Sequence, residues 1–338
     1  MPRLPEPRGP RSEALVAALR QPPHPLGPPA ASAVADPLAD DDLHLALYVC
    51  YELAYRGFDH VDDRWEWEPG LVAFRGALEH VFEDGLRDVL GPPAPPAGRV
   101  QDALRLVVAD DSGPSLSRYI ERRASAAQVR EFCVHRSAYQ LKEADPHTWA
   151  IPRIAGPAKA AMVEIQADEY GGGRAERMHA RLFADTLEGL GLDAGYGAYL
   201  DRVPGVTLAT VNVMSLFGLH RRLRGAACGH LAAFEMTSTE PNRRYAKGLR
   251  RLGFDDPRVT EFFDEHVEAD AVHEALALHD LAGALAAAEP GVAGDVVWGA
   301  RALMLLDARF AEHLLDAWAA GRTSLRRPLP DSVPPLAA

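Results

Sequence analysis

The chain has 338 residues, of which 47% are hydrophobic and 25% are charged, the balance of an ordinary globular protein. Its formal net charge of -12 argues against nucleic acid and anionic membranes as partners. No apolar run approaches the ~18 residues of a membrane-spanning helix, and the N-terminus has no hydrophobic signal core. The 3 cysteines are widely spaced and predict no disulfide framework, so we expect a cytoplasmic protein.

Proline is concentrated at both ends of the chain. Residues 1–40 contain ten of the 27 prolines, and only 12–20 reads as a short helix there. We interpret residues 1–40 as a Pro-rich arm that is mobile or wraps around the surface. Residues 325–338 form a second Pro-rich tail, and we therefore expect one helical domain over 41–324.

Between these ends the chain reads as helix after helix, because apolar residues recur at helical spacing and strand signals are nearly absent. Asp41 and Asp42 are placed to cap the first helix. The sequence has no Walker loop and no Gly-x-Gly-x-x-Gly after a strand. We predict an all-α fold whose later helices cover 70–90, 100–108, 116–123, 126–143, 158–170, 175–190, 207–219, 228–235, 242–252, 259–281 and 291–320.

Two predicted helix faces that are otherwise apolar each end in an acidic residue. Glu143 follows Tyr139 on one face of its predicted helix, and Glu235 follows Leu231 on a face of another. An ionised carboxylate that is buried without a partner costs several kcal/mol. Each of these positions is therefore a candidate for a single metal-binding glutamate.

Two further carboxylates compete for one position around the triple glycine at 171–173. Glu169 ends the buried stripe of its predicted helix, just before the glycines. Glu176 and His179 follow them as an acid-x-x-His pair, one helical turn apart if they share a helix. The residues leave open whether Glu169 or Glu176 is the ligand, or whether both serve.

The predicted helix at 259–281 carries titratable side chains inside its own buried stripe. That stripe is Val259, Phe263, His266, Asp270, His273, Ala277 and Leu281. A metal ion would satisfy its two imidazoles and one carboxylate together, and such ligands suit iron, zinc or manganese. The alternatives are a surface stripe, or a core cluster that arginine and backbone groups neutralise.

Taken together, these positions match a known way of holding two metal ions. Two acid-x-x-His pairs on two helices, with one glutamate from each of two further helices, bind two irons inside a helical bundle. The candidate metal ligands are Glu143, Glu169, Glu176, His179, Glu235, His266, Asp270 and His273.

The chain also resembles the haem-oxygenase-like diiron oxidases and oxygenases, a family of iron-containing redox enzymes. The resemblance runs from about 135 to 274 and rests on 139–146, 159–174, 176–183, 235–238 and 266–273. It implies a haem-oxygenase-like seven-helix bundle with extra N-terminal helices. It also implies ligands at Glu143, His179, Glu235, His266, Asp270 and His273. The position of one further carboxylate ligand varies within the family, so the choice between Glu169 and Glu176 stays open.

The resemblance implies a non-haem diiron enzyme that activates O2, its co-substrate, to oxidise a small metabolite. Its cofactors would be two Fe ions cycling between Fe(II) and Fe(III), with an external reductant where the reaction needs one. Glu143, His179, Glu235 and Asp270 would act as catalytic metal ligands. Amine N-oxygenation, oxidative C–C cleavage and desaturation all stay open, because a fold does not choose between them.

Two other interpretations remain. One is a mononuclear iron or manganese enzyme that uses part of the ligand set, and the other is a non-catalytic metal-binding helical protein. For partners we expect a small-molecule substrate, no nucleic acid and no membrane, and we leave a homodimer open.

Overall fold

The computed structural model describes residues 1–111 and 113–330, with the side chains of 268–272 left out. The predicted all-α class is confirmed, since no strand occurs in the described ranges. Its α-helices are α1 (Pro10–Leu19), α2 (Asp41–Glu52), α3 (Pro69–Leu90), α4 (Val100–Ala109), α5 (Leu116–Arg122), α6 (Ala126–Gln140), α7 (Asp145–Thr148), α8 (Gly156–Glu169), α9 (His179–Gly189), α10 (Gly205–Leu219), α11 (Arg224–Arg251), α12 (Pro257–Ala275), α13 (Ala284–Ala288) and α14 (Ala293–Ala319).

Shorter and wider helical turns join these elements. The 3₁₀ turns are Asp63–Trp67, Ile151–Arg153, Gly171–Gly173, Ala175–Arg177, Arg221–Leu223 and Pro290–Val292. A π-helical stretch, Leu276–Gly283, continues directly from α12. Among the described helices, none is both long and apolar enough to span a lipid bilayer.

The N-terminal segment is tied to the domain through α1. Leu15 and Leu19 of α1 are fully buried, and α1 packs against α2. The carboxylate of Asp42 accepts hydrogen bonds from the backbone of Arg11 and Ser12 at 2.9 and 2.8 Å. The side chain that caps α2 is Asp40 and not Asp41 or Asp42, because the helix begins at Asp41. The carboxylates of Asp41 and Asp42 instead accept from the backbone of Gly205 and of α1.

The long helix α11 runs through the middle of the bundle and contacts α12 on one side and α14 on the other. A β-carbon at Gly229 would lie 1.8 Å from the carbonyl oxygen of Val296, and one at Gly299 would lie 2.1 Å from that of Ala226. Both glycines are therefore required for the backbones of α11 and α14 to touch. The sequence predicted two helices here, at 228–235 and 242–252. The structure instead has one helix that continues through Pro241.

Candidate metal centre

Six buried side chains converge between α8, α9, α11, α12 and the turn that follows α6. We call this set the metal cluster: Glu143, Glu169, His179, Glu235, His266 and His273. Each of the six is no more than 7% exposed. The cluster therefore sits in an environment where uncompensated charge is costly.

Glu143 reaches the cluster from a turn rather than from a helix. The sequence predicted a helix through residue 143, but α6 ends at Gln140, and Ala144 adopts a left-handed conformation with φ 73°. A non-glycine residue in this conformation carries strain that its surroundings must offset. The side-chain amide of Gln166 supports the turn by donating to the carbonyl oxygen of Ala144 at 2.7 Å.

Glu169 and His179 meet because the glycine run turns the chain sharply between them. Glu169 is the last residue of α8 and His179 is the first of α9. Gly171 has φ +68°, and a β-carbon there would lie 2.6 Å from the backbone of Arg177, so only glycine fits. As a result, Nδ1 of His179 lies 2.8 Å from Oε2 of Glu169.

Helix α12 supplies two imidazoles whose ring orientation is fixed by hydrogen bonds. Nδ1 of His266 donates to the carbonyl oxygen of Phe262 at 2.7 Å, which leaves Nε2 as its ligand atom. Nε2 of His273 donates to Oδ2 of Asp168 at 3.0 Å, which directs Nδ1 towards the carboxylates of the cluster. A carboxylate or carbonyl that holds the outer nitrogen is the usual partner of a metal-binding histidine.

The cluster divides into two groups that share one carboxylate. Glu143, Glu169, His179 and His266 each offer a ligand atom within 4.8 Å of the others, and Glu169, Glu235 and His273 do the same. Nε2 of His266 lies 3.6 Å from Glu143, and Nδ1 of His273 lies 3.5 Å from Glu235 and 4.0 Å from Glu169. Glu169 is therefore placed to serve both groups.

Burial and the closeness of carboxylates and imidazoles shift the pKa values of the cluster. Burial raises the pKa of Glu143. Burial also acts to raise the pKa of Glu169, but the charges of His179, His266 and His273 outweigh it and lower that pKa. Burial lowers and the Glu235 and Asp168 carboxylates raise the pKa of His273, which reaches about 9. Protons on the imidazoles thus supply the positive charge when no other cation does.

Several cluster atoms fit a metal better than they fit one another. Oε2 of Glu143, Oε2 of Glu169 and Nδ1 of His179 are buried and have no aligned hydrogen-bond partner among the described residues. Carboxylate oxygen and imidazole nitrogen together are the donor set that first-row transition metals such as iron accept. The residues present therefore fit one metal ion in each group.

Two voids adjoin the cluster. A void of about 10 Å³, enough for roughly one water molecule or one metal ion, lies among Glu143, Glu169 and Glu235. A larger cavity of about 240 Å³ extends from it towards the surface. Phe234, Ser238 and His266 line both, so a small molecule in the larger cavity would lie beside the cluster.

Two of the predicted ligands are not part of the described cluster. Glu176 lies exposed in the 3₁₀ turn Ala175–Arg177, and it belongs to neither ligand group. The expected helical Glu176–His179 pair is corrected, because Met178 has ψ 132° and α9 begins only at His179. Asp270 falls among the side chains outside the described residues, so its role as a ligand stays a prediction.

Sequence reasoning missed two residues next to the cluster. Asp168 is 60% exposed, as expected for the outer face of α8, yet it holds the outer nitrogen of His273. His147 lines the small void and lies within hydrogen-bond distance of His230, at 3.1 Å. The adjacent Asp168 and Glu169 were a usable signal, because consecutive acids at a helix end can hold one histidine from two sides.

The fold and the shared ligand groups together define an all-helical protein with a buried carboxylate and histidine centre suited to iron. Residues 130–308, just over half of the chain, match the model of the family described as iron-containing redox enzymes. The chain belongs to this family. Every member of the metal cluster lies within the matched residues.

Comparison with individual proteins agrees with this assignment. The chain is 28% identical over 192 residues to a nitrosourea synthase of Streptomyces achromogenes subsp. streptozoticus, a match that covers 55% of this chain and 40% of that protein. A crystal structure of a CADD-like protein of unknown function from Nostoc punctiforme is similar in fold, with a TM-score of 0.51 at 20% identity. That similarity covers 64% of this chain and 96% of the other. The haem-oxygenase-like helical fold predicted from the sequence is thereby confirmed.

Proposed function

We propose that this chain is a non-haem diiron oxidase or oxygenase that uses O2 to oxidise a small molecule. The observation that carries the proposal is the pair of buried ligand groups joined through Glu169. Membership of the iron-containing redox enzyme family supports iron as the metal. The first ion would be held by Glu143, Glu169, His179 and His266, and the second by Glu169, Glu235 and His273, with Asp270 as a predicted further ligand.

When bound, two ferrous ions supply the electrons that reduce O2. The carboxylates of the chain are hard donors that stabilise the oxidised metal, and the imidazoles keep the metal reducible. Asp168 and the carbonyl of Phe262 hold the outer nitrogens of His273 and His266, so the inner nitrogens keep their direction during turnover. Phe183 and Phe262, packed at 4.9 Å between ring centroids, give the cavity an apolar wall beside His266.

The type of oxidation is the part of the proposal that depends most on relatives. The nitrosourea synthase relative favours an oxidation at nitrogen, but this chain spans only 40% of its length. Oxidative C–C cleavage and desaturation need the same metal cluster and a different substrate pose. We therefore propose amine N-oxygenation, C–C cleavage or desaturation as the reaction set for this centre.

The test loads the full chain with Fe(II) without oxygen and then adds a pulse of O2. We expect O2 consumption that is stoichiometric with the loaded iron, accompanied by a transient change in the visible absorption spectrum. His179→Ala should abolish both, while Arg181→Ala, which alters an exposed residue on the same helix, should leave both intact. Iron binding without any O2 consumption would leave a metal-binding protein and overturn the oxidase proposal.

A further inference from the structure

The cavity beside the metal cluster has a polar end built around one half-buried ion pair. Arg136 and Asp307 both line it, and their side chains are 21% and 35% exposed. The contact between them is long, 3.5 Å from Nη1 of Arg136 to Oδ1 of Asp307. A guanidinium has five N–H donors, so this contact leaves most of its hydrogen-bonding capacity directed at its surroundings, which include the cavity.

The charges that line this cavity are balanced. Arg136 and Arg244 contribute two positive charges, and Asp111 and Asp307 contribute two negative ones. A molecule with only a carboxylate would pair with Arg136 and also be repelled by Asp307. A molecule that carries a carboxylate and an ammonium group on neighbouring atoms would satisfy both members of the pair.

The rest of the cavity is aromatic and leads to the metal cluster. The guanidinium of Arg136 lies 5.7 Å from the ring centroid of Phe132, which lies 4.7 Å from the ring of Tyr245. The chain of ring contacts then passes through Phe263 and Phe262, and it reaches His266 at 4.4 Å. This wall offers little to a charged substituent and much to an apolar one.

Helix α6 leads from the ion pair towards the metal cluster. Arg136 and Gln140 are one turn apart on this helix, and Glu143 of the metal cluster lies three residues beyond its end. At the rise of an α-helix, Arg136 and Gln140 are about 6 Å apart along the helix axis. Oε1 of Gln140 is buried in the cavity lining and has no hydrogen-bond partner among the described residues. It is therefore available to accept from an ammonium group.

We propose that this cavity binds a small zwitterion, with its carboxylate on Arg136, its ammonium group on Asp307 and Gln140, and an uncharged apolar arm directed along the aromatic wall to the metal cluster. An α-amino acid with an apolar or aromatic side chain has this chemistry. A cavity of about 240 Å³ suits a molecule of that size better than a long-chain lipid. This inference rests on the proposed function for the role of the cluster, but the binding itself does not require metal.

The experiment measures equilibrium binding to the full chain by calorimetry, with and without Fe(II) under anaerobic conditions. The probes are L-phenylalanine, 3-phenylpropanoate, 2-phenylethylamine and L-lysine. They supply the zwitterion with an apolar arm, the carboxylate alone, the amine alone and a charged arm. We expect L-phenylalanine to bind about tenfold or more tightly than each of the others, since each charged hydrogen bond contributes about that factor.

Two substitutions then assign the ends of the molecule. Arg136→Gln should weaken L-phenylalanine and 3-phenylpropanoate about tenfold and leave 2-phenylethylamine unchanged. Asp307→Asn should weaken L-phenylalanine and 2-phenylethylamine and leave 3-phenylpropanoate unchanged or tighter. A variant that merely failed to fold would lose all probes together, and the double variant, which removes both charges, provides a folded reference. The matched controls are Arg301→Gln and Asp316→Asn, both exposed on α14.

Equal binding of 3-phenylpropanoate and L-phenylalanine would overturn the zwitterion proposal in favour of a simple carboxylate. Failure of L-phenylalanine to bind at millimolar concentration, with the wild-type chain folded, would overturn it outright. If L-phenylalanine binds as expected but the chain takes up no iron, the proposed oxidase function falls and the binding site stands. If iron loads and O2 is consumed but no zwitterion binds, the oxidase function stands and the proposed zwitterion site falls.

Discussion

Two buried clusters that contain glutamates lie side by side in this protein: one around Glu52, which we call the Glu52 cluster, and the metal cluster. The consecutive residues Lys142 and Glu143 belong to one each. Lys142 joins the first cluster, where its Nζ donates to Oε2 of Glu52 at 3.0 Å, and the hydroxyl of Tyr196 donates to both oxygens of Glu52. Glu143 belongs to the metal cluster, where its described ion pair is with His266. Both clusters are almost fully buried, since Glu52 is 0% exposed and Glu143 is 4% exposed.

The two clusters differ in where their positive charge comes from. The Glu52 cluster contains its own cation, Lys142, which also lies 4.4 Å from the ring centroid of Tyr48. Within the described part of the chain, Glu143 and Glu169 form ion pairs only with histidines, which can give up a proton and accept a metal. A buried acid therefore indicates a metal site only when its partners are themselves metal ligands.

The largest effect should come from removing the cation of the Glu52 cluster. Lys142→Met leaves Glu52 buried without its counter-charge, and we expect the free energy of unfolding to fall by about 3–5 kcal/mol. Urea denaturation of the metal-free protein measures this. Lys247→Met, at a 56% exposed side chain, is the control and should change stability by less than about 0.5 kcal/mol. A loss of stability as small as that of the control would mean that the Lys142–Glu52 pair does not stabilise the fold. The two clusters would then not differ in the way described.

A smaller effect, on metal affinity, should follow from removing the hydrogen bond that orients one histidine of the metal cluster. Asp168→Ala frees the outer nitrogen of His273, and we expect metal affinity to fall about 10–100-fold with little change in metal-free stability. Competition with a coloured chelator measures the affinity. Asp168→Asn, which keeps an acceptor, should recover part of the loss, and Glu164→Ala, exposed on the same helix, should show none. Equal affinity of Asp168→Ala and wild type would show that Asp168 does not position His273.

The smallest effect should have the opposite sign from that of Lys142→Met. Burial raises the pKa of Glu143, so its ionised form is disfavoured in the metal-free fold. Glu143→Gln should therefore leave metal-free stability unchanged or raise it by on the order of 1 kcal/mol. Parallel denaturation curves of metal-free wild type and variant check this. A loss of several kcal/mol would place Glu143 among the structural acids, alongside Glu52.

The sequence was sufficient for the class of fold and for the histidine stripe of α12. Helical spacing placed Phe263, His266 and His273 on one buried face, and all three are buried in the structure. Spacing could not reveal where helices end. Glu143 lies beyond the end of α6 because the chain turns at Ala144, and Glu176 lies outside α9 because Met178 is extended.

Contacts between distant segments were also beyond the sequence. Asp168 belongs to the exposed face of its own helix, and only the packing of α8 against the π-helical stretch Leu276–Gly283, directly after α12, shows that it reaches His273. The Arg136–Asp307 pair joins residues 171 positions apart, so no local pattern marks it. The choice of Glu169 over Glu176 as the carboxylate in the cluster likewise depends on the conformation of the glycine run.

The most direct test of the shared ligand is the number of irons each variant holds. Anaerobic Fe(II) titration with elemental analysis should give two irons per chain for wild type, one for each ligand group. Glu143→Ala alters a ligand of the first group only and should retain one iron, whereas Glu169→Ala removes the ligand common to both and should retain neither tightly. A wild type that never binds more than one iron, or a Glu169→Ala variant that still binds two, would contradict a dinuclear centre built on Glu169.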